Sequence, residues 1–215
     1  MALPLAARAG TVVGMDPNEA MIEQARRRAR TEEVENVEWV VGSDADLRAG
    51  AAEEVAPFAL ATVGRAFHWT ERGPTLDRLR ELAEPGGGVA IFGDTEWLTK
   101  GERTWQDEVY AVVDEYLDDL PDRTGPRTEP YENPYDEMLA DRGFVDVERV
   151  GFERTREWTV DGVVGYVFSL SFCSPATFGD EQETFEADLR DRLESLGAPF
   201  PQVDEVEVIS GRKPV

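Results

Sequence analysis

The sequence is poor in the residue types that build cross-links and metal sites. Cys173 is its one cysteine and His68 its one histidine among 215 residues. An internal disulfide is therefore impossible, and the chain lacks the His and Cys clusters that zinc sites need. Lysine is nearly absent, since only Lys100 and Lys213 are present and arginine supplies the other basic residues. We predict no metal site.

Positive charge as a whole is also scarce. The chain has 45 acidic residues against 22 basic ones, a formal net charge of −23. A surface this negative repels phosphate backbones and anionic lipid headgroups, so nucleic acid and membranes are not expected as partners. Because the acids are spread along the whole chain, they are typical of a halophilic protein, in which salt screens like charges. Binding of a cationic substrate is the alternative explanation.

Long apolar runs are missing too. No run approaches the ~20 residues that a membrane-spanning helix needs, and residues 1–9 lack the charged start and apolar core of a signal peptide. The single cysteine fits a reducing compartment, which favours a cytoplasmic location. With 41% hydrophobic residues, the chain is expected to fold as one domain over residues 1–215.

The first part of the chain alternates short apolar runs with amphipathic helices. Strands separated by helices of this length predict a parallel α/β sheet. The predicted strands are Thr11–Asp16, Val37–Val41, Phe58–Val63 and Val89–Phe92. Between them we predict a helix after Asp16 with Met21, Ile22, Ala25 and Ala29 on its apolar face, a helix over Pro74–Leu82, and a turn over Pro85–Gly88.

The second part of the chain is predicted to be mainly helical. The predicted helices are Glu102–Leu120, Asp136–Arg142, Val163–Ser171 and Glu181–Leu196. The predicted strands are Phe144–Thr159 and Val206–Ser210, and a loop is predicted over Pro121–Pro134.

Asp16 is the first candidate functional residue, because ligands of parallel sheets bind beyond the carboxyl ends of the strands. Its carboxylate can accept hydrogen bonds from ribose hydroxyls, and a simple helix-capping role is the alternative. The dinucleotide fingerprint places a glycine loop about 20 residues before such an acid. Only fifteen residues precede Asp16, and residues 1–10 hold no Gly-x-Gly and look like the back half of a helix. We therefore expect the first strand and its loop to be missing, through a start assigned late, a trimmed chain or a true loss.

Four stretches, in this order, resemble motifs of class I S-adenosylmethionine-dependent methyltransferases, especially small-molecule members. They are Val12–Pro17 followed by Ala20–Ile22, then Gly42–Ala45, Ala66–Trp69 and Leu79–Gly87. The resemblance covers most of residues 5–215 and weakens after about residue 125. It departs from the family at Ala59, where aspartate is usual, and in the missing glycine-rich first motif.

The resemblance implies an α/β fold with a Rossmann-like methyltransferase sheet. The sheet would lack its first strand and glycine loop, and would carry a helical insertion and a C-terminal antiparallel part. Residues 1–95 would form a cofactor-binding half, and residues 96–215 a substrate-side half. The cofactor would be S-adenosylmethionine, and the partner a small-molecule methyl acceptor.

The resemblance also assigns roles by position. Asp16 would bind the ribose hydroxyls, and Asp44 would accept from the exocyclic amine of the adenine. The remaining implied cofactor residues are Pro17, Met21, Ser43, Ala45, Gly64, Arg65 and Ala66. The candidate acceptor-binding residues are Trp69, Tyr131, Tyr135, Tyr166 and Ser169, for which plain packing is the alternative.

His68 is the candidate catalytic residue. Methyl transfer is an in-line displacement that depends mainly on positioning, and a general base is needed only when the acceptor has a proton to lose. A histidine has an ordinary pKa near 6.5, which suits that role. The alternative is that His68 packs with Trp69 as a pocket wall.

Three functions remain open at this point. The first is methyl transfer to a small molecule. The second is a non-catalytic, truncated methyltransferase-like domain that acts through a partner, and the third is an NAD-dependent enzyme, which would share only the acid after the strand. An unpaired edge beside the Thr11 strand would be an association site, so an oligomer is possible.

Overall fold

The computed structural model describes residues 1–51, 56–94, 103–121 and 134–215. The strands are β1 (Val12–Asp16), β2 (Val37–Val41), β3 (Phe58–Gly64), β4 (Ala83–Asp94), β5 (Val145–Trp158) and β6 (Phe200–Arg212). The α-helices are α1 (Ala2–Ala6), α2 (Glu19–Thr31), α3 (Asp44–Asp46), α4 (Arg72–Leu82), α5 (Thr104–Tyr116), α6 (Tyr135–Asp141), α7 (Val160–Ser169), α8 (Pro175–Phe178) and α9 (Gln182–Leu196). Short helical turns of other types cover Leu47–Ala51, Phe67–Trp69 and Gly179–Glu181.

The strands form two sheets in the part of the chain that is described. β1 and β2 pair in parallel, with Val12 opposite Val37 and Asp16 opposite Val41. The second sheet has the order β3-β4-β6-β5, and β3 and β4 pair in parallel. The predicted α/β fold is confirmed. No described strand lies between β1 and β3, so the sheet is divided at that point.

The chain divides into two compact units, each with its own core. The first unit contains Met1–Gly93, Pro134–Val150 and Val208–Val215, and the second contains Asp94–Asn133 and Gly151–Glu207. The fully buried side chains of the first unit include Leu76, Val89 and Leu139. Those of the second unit include Val109, Val112, Phe185, Leu189 and Leu193. Each unit is therefore stabilised by its own apolar burial.

The helix after the first strand begins at a well-defined cap. The Asn18 side chain accepts a hydrogen bond from the Ala20 amide at 3.0 Å, the usual N-cap arrangement. Ile22 and Ala29 are buried, as the predicted apolar face requires. The prediction is wrong for Met21, because this residue is 53% exposed and does not belong to the buried face.

The predicted turn over Pro85–Gly88 is also wrong. These residues lie within β4. They form a bulge, in which β4 has more residues than the part of β3 with which it pairs. Gly86 has a φ of +77°, a conformation that glycine adopts without steric cost. A Cβ on Gly87 would lie 2.9 Å from the carbonyl oxygens of Glu84 and Phe58. A side chain at Gly87 would therefore collide with the backbone, and Gly86 meets the conformational requirement of the bulge.

The end of the chain is fixed against this bulge. The Lys213 ammonium donates to the carbonyl oxygens of Ala83 at 2.7 Å and Glu81 at 3.1 Å. The Lys213 amide donates to the Gly87 carbonyl at 2.8 Å, and the Gly86 amide donates to the Lys213 carbonyl at 3.0 Å. The last residues are thus part of the first unit's hydrogen-bonded structure.

Candidate functional site

Asp16 lies at the carboxyl end of β1 and is half-buried. Its Oδ1 accepts a hydrogen bond from the Asn18 amide at 2.8 Å. The alternative role considered for Asp16 was to cap the following helix. That cap is Asn18. Among the described residues, Oδ2 of Asp16 has no hydrogen-bond partner. This oxygen is the one left to accept from a ligand hydroxyl.

The loop that follows β2 is attached to Asp16 through the backbone. The buried Gly42 donates its amide to the Asp16 carbonyl oxygen at 3.0 Å. Ser43 then donates its amide and hydroxyl to Asp46 Oδ2 at 2.8 and 2.9 Å. These bonds lower the pKa of Asp46 and hold the turn closed. Ala45, at the middle of the turn, is exposed.

Asp44 is the centre of a small polar network. Its Oδ2 accepts from the Glu71 amide at 3.0 Å, from Arg48 at 2.5 Å and from the Thr75 hydroxyl at 3.3 Å. Burial alone would raise the pKa of Asp44, but the Glu71 amide and the Arg48 guanidinium lower it below its ordinary value of 3.8. The carboxylate therefore ties the β2 loop to the segment after β3, and an internal cation already balances its charge.

The segment after β3 has an unusual backbone. Arg65 has a φ of +50°, and its amide donates to the Phe92 carbonyl of β4 at 3.1 Å. The Met1 methyl group occupies the space that a Cβ on Gly64 would need. Arg65 and Ala66, the next two implied cofactor residues, are exposed. The N-terminal residue thus covers Gly64 at the end of β3.

His68 and Trp69 lie in the short helical turn that follows. Their ring centroids are 5.0 Å apart and the rings are tilted by 44°. Trp69 is 71% exposed, whereas Phe67 on the same turn is buried and contacts the Tyr135 ring edge-on at 4.8 Å. The turn is therefore anchored by Phe67, and its Trp69 ring is exposed to solvent.

The described candidate acceptor residues are divided between the two units. Tyr135 is 5% exposed and belongs to the core of the first unit, with the Arg72 guanidinium 5.7 Å from its ring centroid. Tyr166 and Ser169 belong to the second unit, where the Ser169 hydroxyl donates to the Tyr166 carbonyl at 2.6 Å. Tyr131 lies outside the described residues.

The structure does join the segments that follow the first three strands. Asp16 contacts the β2 loop through Gly42, and that loop contacts the segment after β3 through Asp44 and Glu71. Pro17 is exposed beside Asp16, and Met21 is exposed one turn along α2. The segments that follow β1, β2 and β3 are therefore linked by a series of hydrogen bonds, and a ligand site of a parallel sheet lies at such segments.

Sequence reasoning missed Arg48 and Thr75 as partners of Asp44. The signal for Arg48 was present, because an acid followed four residues later by a base is a favourable pair on a helix. No local signal identifies Thr75. Within the described ranges, no group of three or more side chains could hold a metal ion. In the same ranges, no helix combines the length and the apolarity that crossing a bilayer requires.

In the comparison with known proteins, one family model matches the first part of the chain. Residues 1–87 match the family described as a methyltransferase domain. No curated protein matches the sequence. Among solved structures, a protein from Anaeromyxobacter dehalogenans, described provisionally as a type II methyltransferase, is 25% identical, with a TM-score of 0.56 over 99% of this chain and 84% of that one.

Two further structures share the fold at lower identity. One is a protein of Bacillus halodurans, provisionally a methyltransferase, at 18% identity and a TM-score of 0.51 over 98% of this chain and 86% of its own. The other, from Methanobacterium thermoautotrophicum, is described as a precorrin 8w decarboxylase, at 15% identity and a TM-score of 0.50 over 97% and 73%. At these identities the likeness shows the Rossmann-like methyltransferase fold and not the reaction.

Proposed function

Since residues 1–87 match the methyltransferase domain family and the chain has the fold of such enzymes, we propose that this protein transfers a methyl group from S-adenosylmethionine to a small-molecule acceptor. The observation that carries the proposal is the Asp16 carboxylate, which ends β1 with one oxygen held by Asn18 and the other without a described partner. A carboxylate in this position suits the hydroxyls of a ribose.

The adenosine side of the site fits the cofactor best. Asp16 Oδ2 would accept from the ribose, and the turn at Ser43–Ala45 would lie beside the adenine. Because Asp44 Oδ2 is already engaged by Arg48 and Glu71, its Oδ1 would be the atom that accepts from the exocyclic amine. The methionine side fits less well, because Met1 covers Gly64.

When bound, the cofactor supplies the methyl group on its sulfonium, and the chain's own residues position the acceptor. Holding the acceptor near the methyl group is the main source of rate in such a displacement. His68 would accept the proton of an O–H or N–H acceptor, and the exposed Trp69 beside it would contact the acceptor's apolar part.

Calorimetric titration with S-adenosylhomocysteine in concentrated KCl tests cofactor binding. Asp16→Asn keeps an oxygen for the Asn18 amide but loses the charge, so we expect an affinity lower by about tenfold to a hundredfold. Glu23→Gln makes the same chemical change on the exposed face of α2 and is the matched control. A folded wild-type chain that gives no binding, or an Asp16→Asn variant with unchanged affinity, contradicts the proposal.

The role of His68 is tested separately. His68→Ala should leave the affinity for S-adenosylhomocysteine unchanged while abolishing the acidic limb of the pH–rate profile for any acceptor that loses a proton. Full turnover by His68→Ala with an unchanged pH profile would assign His68 to packing against Trp69.

A second candidate function is a non-catalytic domain that acts through a partner. The observation that favours it is the division of the sheet between β1 and β3, together with the Met1 side chain over Gly64. A chain that unfolds cooperatively, yet binds no S-adenosylhomocysteine alone, would support this function over independent catalysis.

A further inference from the structure

β5 is the outermost strand of the second sheet in the part of the chain that is described. It pairs with β6 on one side, and its other edge has no described neighbour. The strand is 14 residues long, whereas most strands have ~5–6 residues. An edge of this kind presents backbone N–H and C=O groups that can pair with another strand. The free edge of β5 is therefore a candidate interaction surface.

The middle of β5 is electrically balanced in a chain that is otherwise strongly acidic. Residues 147–155 contain two acids, Glu148 and Glu153, and two bases, Arg149 and Arg154. The whole chain has 45 acidic residues for 22 basic ones. Contact between two copies of the chain is opposed by this net negative charge, and the middle of β5 adds nothing to the repulsion.

The segment is also complementary to itself about Gly151. A two-fold axis normal to the sheet would place a second β5 antiparallel to the first, with the same face of both strands on the same side. With the axis at Gly151, Arg149 of one copy would lie opposite Glu153 of the second copy. In the same register Glu148 would lie opposite Arg154. Because the symmetry is reciprocal, each of these ion pairs would form twice.

Two exposed apolar side chains flank the same axis. Val150 is 43% exposed and Phe152 is 55% exposed. Val150 of one copy would lie opposite Phe152 of the second copy, and pairs of an aromatic and a β-branched residue stabilise antiparallel strands. The next pair on the other face would be Val147 with Thr155, both β-branched. The centre of the contact would thus be apolar, with the ion pairs beside it.

The adjacent registers lack these pairs. An axis at Val150 would place Glu148 opposite Phe152, and an axis at Phe152 would place Arg154 opposite Val150. Either shift sets a charge against an apolar side chain and leaves Arg149 without an acid opposite to it. The side chains of β5 therefore favour one register, the one centred on Gly151.

Arg154 can take part because its guanidinium is only partly used within the chain. Its Nε and Nη2 atoms donate to the Asp204 carboxylate, and Nη2 also donates to Asp94 at 3.3 Å. Its Nη1 atom has no hydrogen-bond partner among the described residues. Glu148 is exposed, so its carboxylate is accessible to the Nη1 atom of a second copy.

We propose that the free edge of β5 binds β5 of a second copy of this chain, antiparallel and centred on Gly151. The residues that carry the proposal all lie on this one strand. A single strand pair is smaller than the interface of a permanent dimer. The dimer should therefore form reversibly, at concentrations in the micromolar range. The proposal does not depend on the proposed methyl transfer.

Charge-inversion variants test the register. Glu153→Arg would place an arginine opposite Arg149, and Arg149→Glu would place a glutamate opposite Glu153. In sedimentation equilibrium at moderate KCl, each variant alone should raise the dissociation constant of the dimer by about tenfold or more, because two ion pairs become two repulsions. Glu38→Arg makes the same change of charge on the exposed side of β2 and should dimerise like the wild type.

An equimolar mixture of the two inverted variants is the decisive sample. In a mixed dimer the two arginines of one chain would lie opposite the two glutamates of the other, so both pairs are restored. We expect mixed dimers with an affinity close to that of the wild type. A recovery of this kind cannot come from variants that fail to fold.

Amide hydrogen exchange locates the contact. In residues 147–155 it should slow as the concentration of the wild type or of the mixture rises, but not for Glu153→Arg alone. A wild type that stays monomeric overturns the proposal, as does a dimer that Glu153→Arg and Glu38→Arg weaken equally. Failure of the mixture to restore the dimer also overturns it. So does growth into longer oligomers, because a two-fold contact closes at two copies.

Discussion

The Asp44 carboxylate accepts a hydrogen bond from the Glu71 amide at 3.0 Å, across 27 positions of sequence. This contact joins the loop after β2 to the segment after β3, and both loops belong to the candidate site. The Arg48 side chain, 21% exposed, supplies the balancing charge at 2.5 Å. The site's loops are therefore held in place from within the protein before any ligand binds.

Replacing Asp44 should loosen this connection. Asp44→Asn keeps the shape of the side chain but weakens the bonds to Arg48 and Glu71, so we expect unfolding to become easier by about 1–3 kcal/mol. Urea unfolding followed by circular dichroism measures this change. Glu38→Gln, an exposed carboxylate on β2, is the matched control and should change stability by less than about 0.5 kcal/mol. Equal stabilities of the two variants would contradict the role given to Asp44.

The acid stability of the protein should depend on Asp204. Burial alone would raise the pKa of Asp204, but its hydrogen bonds and ion pair with Arg154 lower it below 3.8. As the pH falls, Asp204 therefore takes up its proton at a lower pH in the folded state than in the unfolded state. Its contribution to the stability of the fold is complete above the pKa of the unfolded state. It is lost as the pH falls from about 5 through the folded pKa.

Urea midpoints measured between pH 7 and about 3 test this dependence. Asp204→Asn should flatten the acid limb, whereas the exposed Glu153→Gln on β5 should leave it as in the wild type. An Asp204→Asn protein with the full wild-type slope would show that other carboxylates cause the loss.

Cys173 should be inert in the folded protein. Its side chain is fully buried, and burial raises the pKa of the thiol to about 12. At pH 8 only about one thiol in ten thousand is then ionised, and the thiolate is the reactive form. A colorimetric thiol reagent should therefore react with no thiol in native protein and with one in guanidinium. Rapid reaction in the native state would contradict the burial.

The α9 helix offers a matched pair of leucines. Leu189 is fully buried in the core of the second unit, and Leu196, at the end of the same helix, is 40% exposed. Leu189→Ala should lower the free energy of unfolding by about 2–5 kcal/mol because it leaves a cavity. Leu196→Ala should cost less than about 1 kcal/mol. Similar losses, measured by urea unfolding, would show that α9 is not packed as described.

The acidic composition predicts that salt stabilises the protein. With a net charge of −23, repulsion between carboxylates opposes folding until salt screens it. The melting temperature should rise steadily between about 0.1 M and about 3 M KCl. Sucrose is the control, because it strengthens burial without screening charge. A melting temperature that does not change with KCl concentration would contradict the halophilic interpretation.

The sequence predicted the regular elements well where the signal is local. The strand Val37–Val41 has the predicted bounds, because an apolar run and the following Gly42 define it. The helix after Asp16 was also predicted, but its cap Asn18 and the exposed Met21 were not, since tertiary packing decides which face is covered. The bulge at Gly86 depends on the register with β3, which no local pattern encodes.

The candidate site could be predicted only in part. Asp16, Asp44 and His68 were identified as chemically suitable residues, and the structure links the loops that carry the first two. The Glu71 amide and the Thr75 hydroxyl could not be predicted as partners of Asp44, because they approach it from 27 and 31 positions away. The Met1 side chain over Gly64 is likewise a long-range contact without a sequence signal.

The discontinuous first unit has a consequence for biosynthesis. Its core includes Ile209, which is 1% exposed, and its bulge is bonded to Lys213, so residues Val208–Val215 are needed to complete it. A ribosome adds these residues after every residue of the second unit has been made. The core of the first unit can therefore close only after the whole of the second unit has been synthesised.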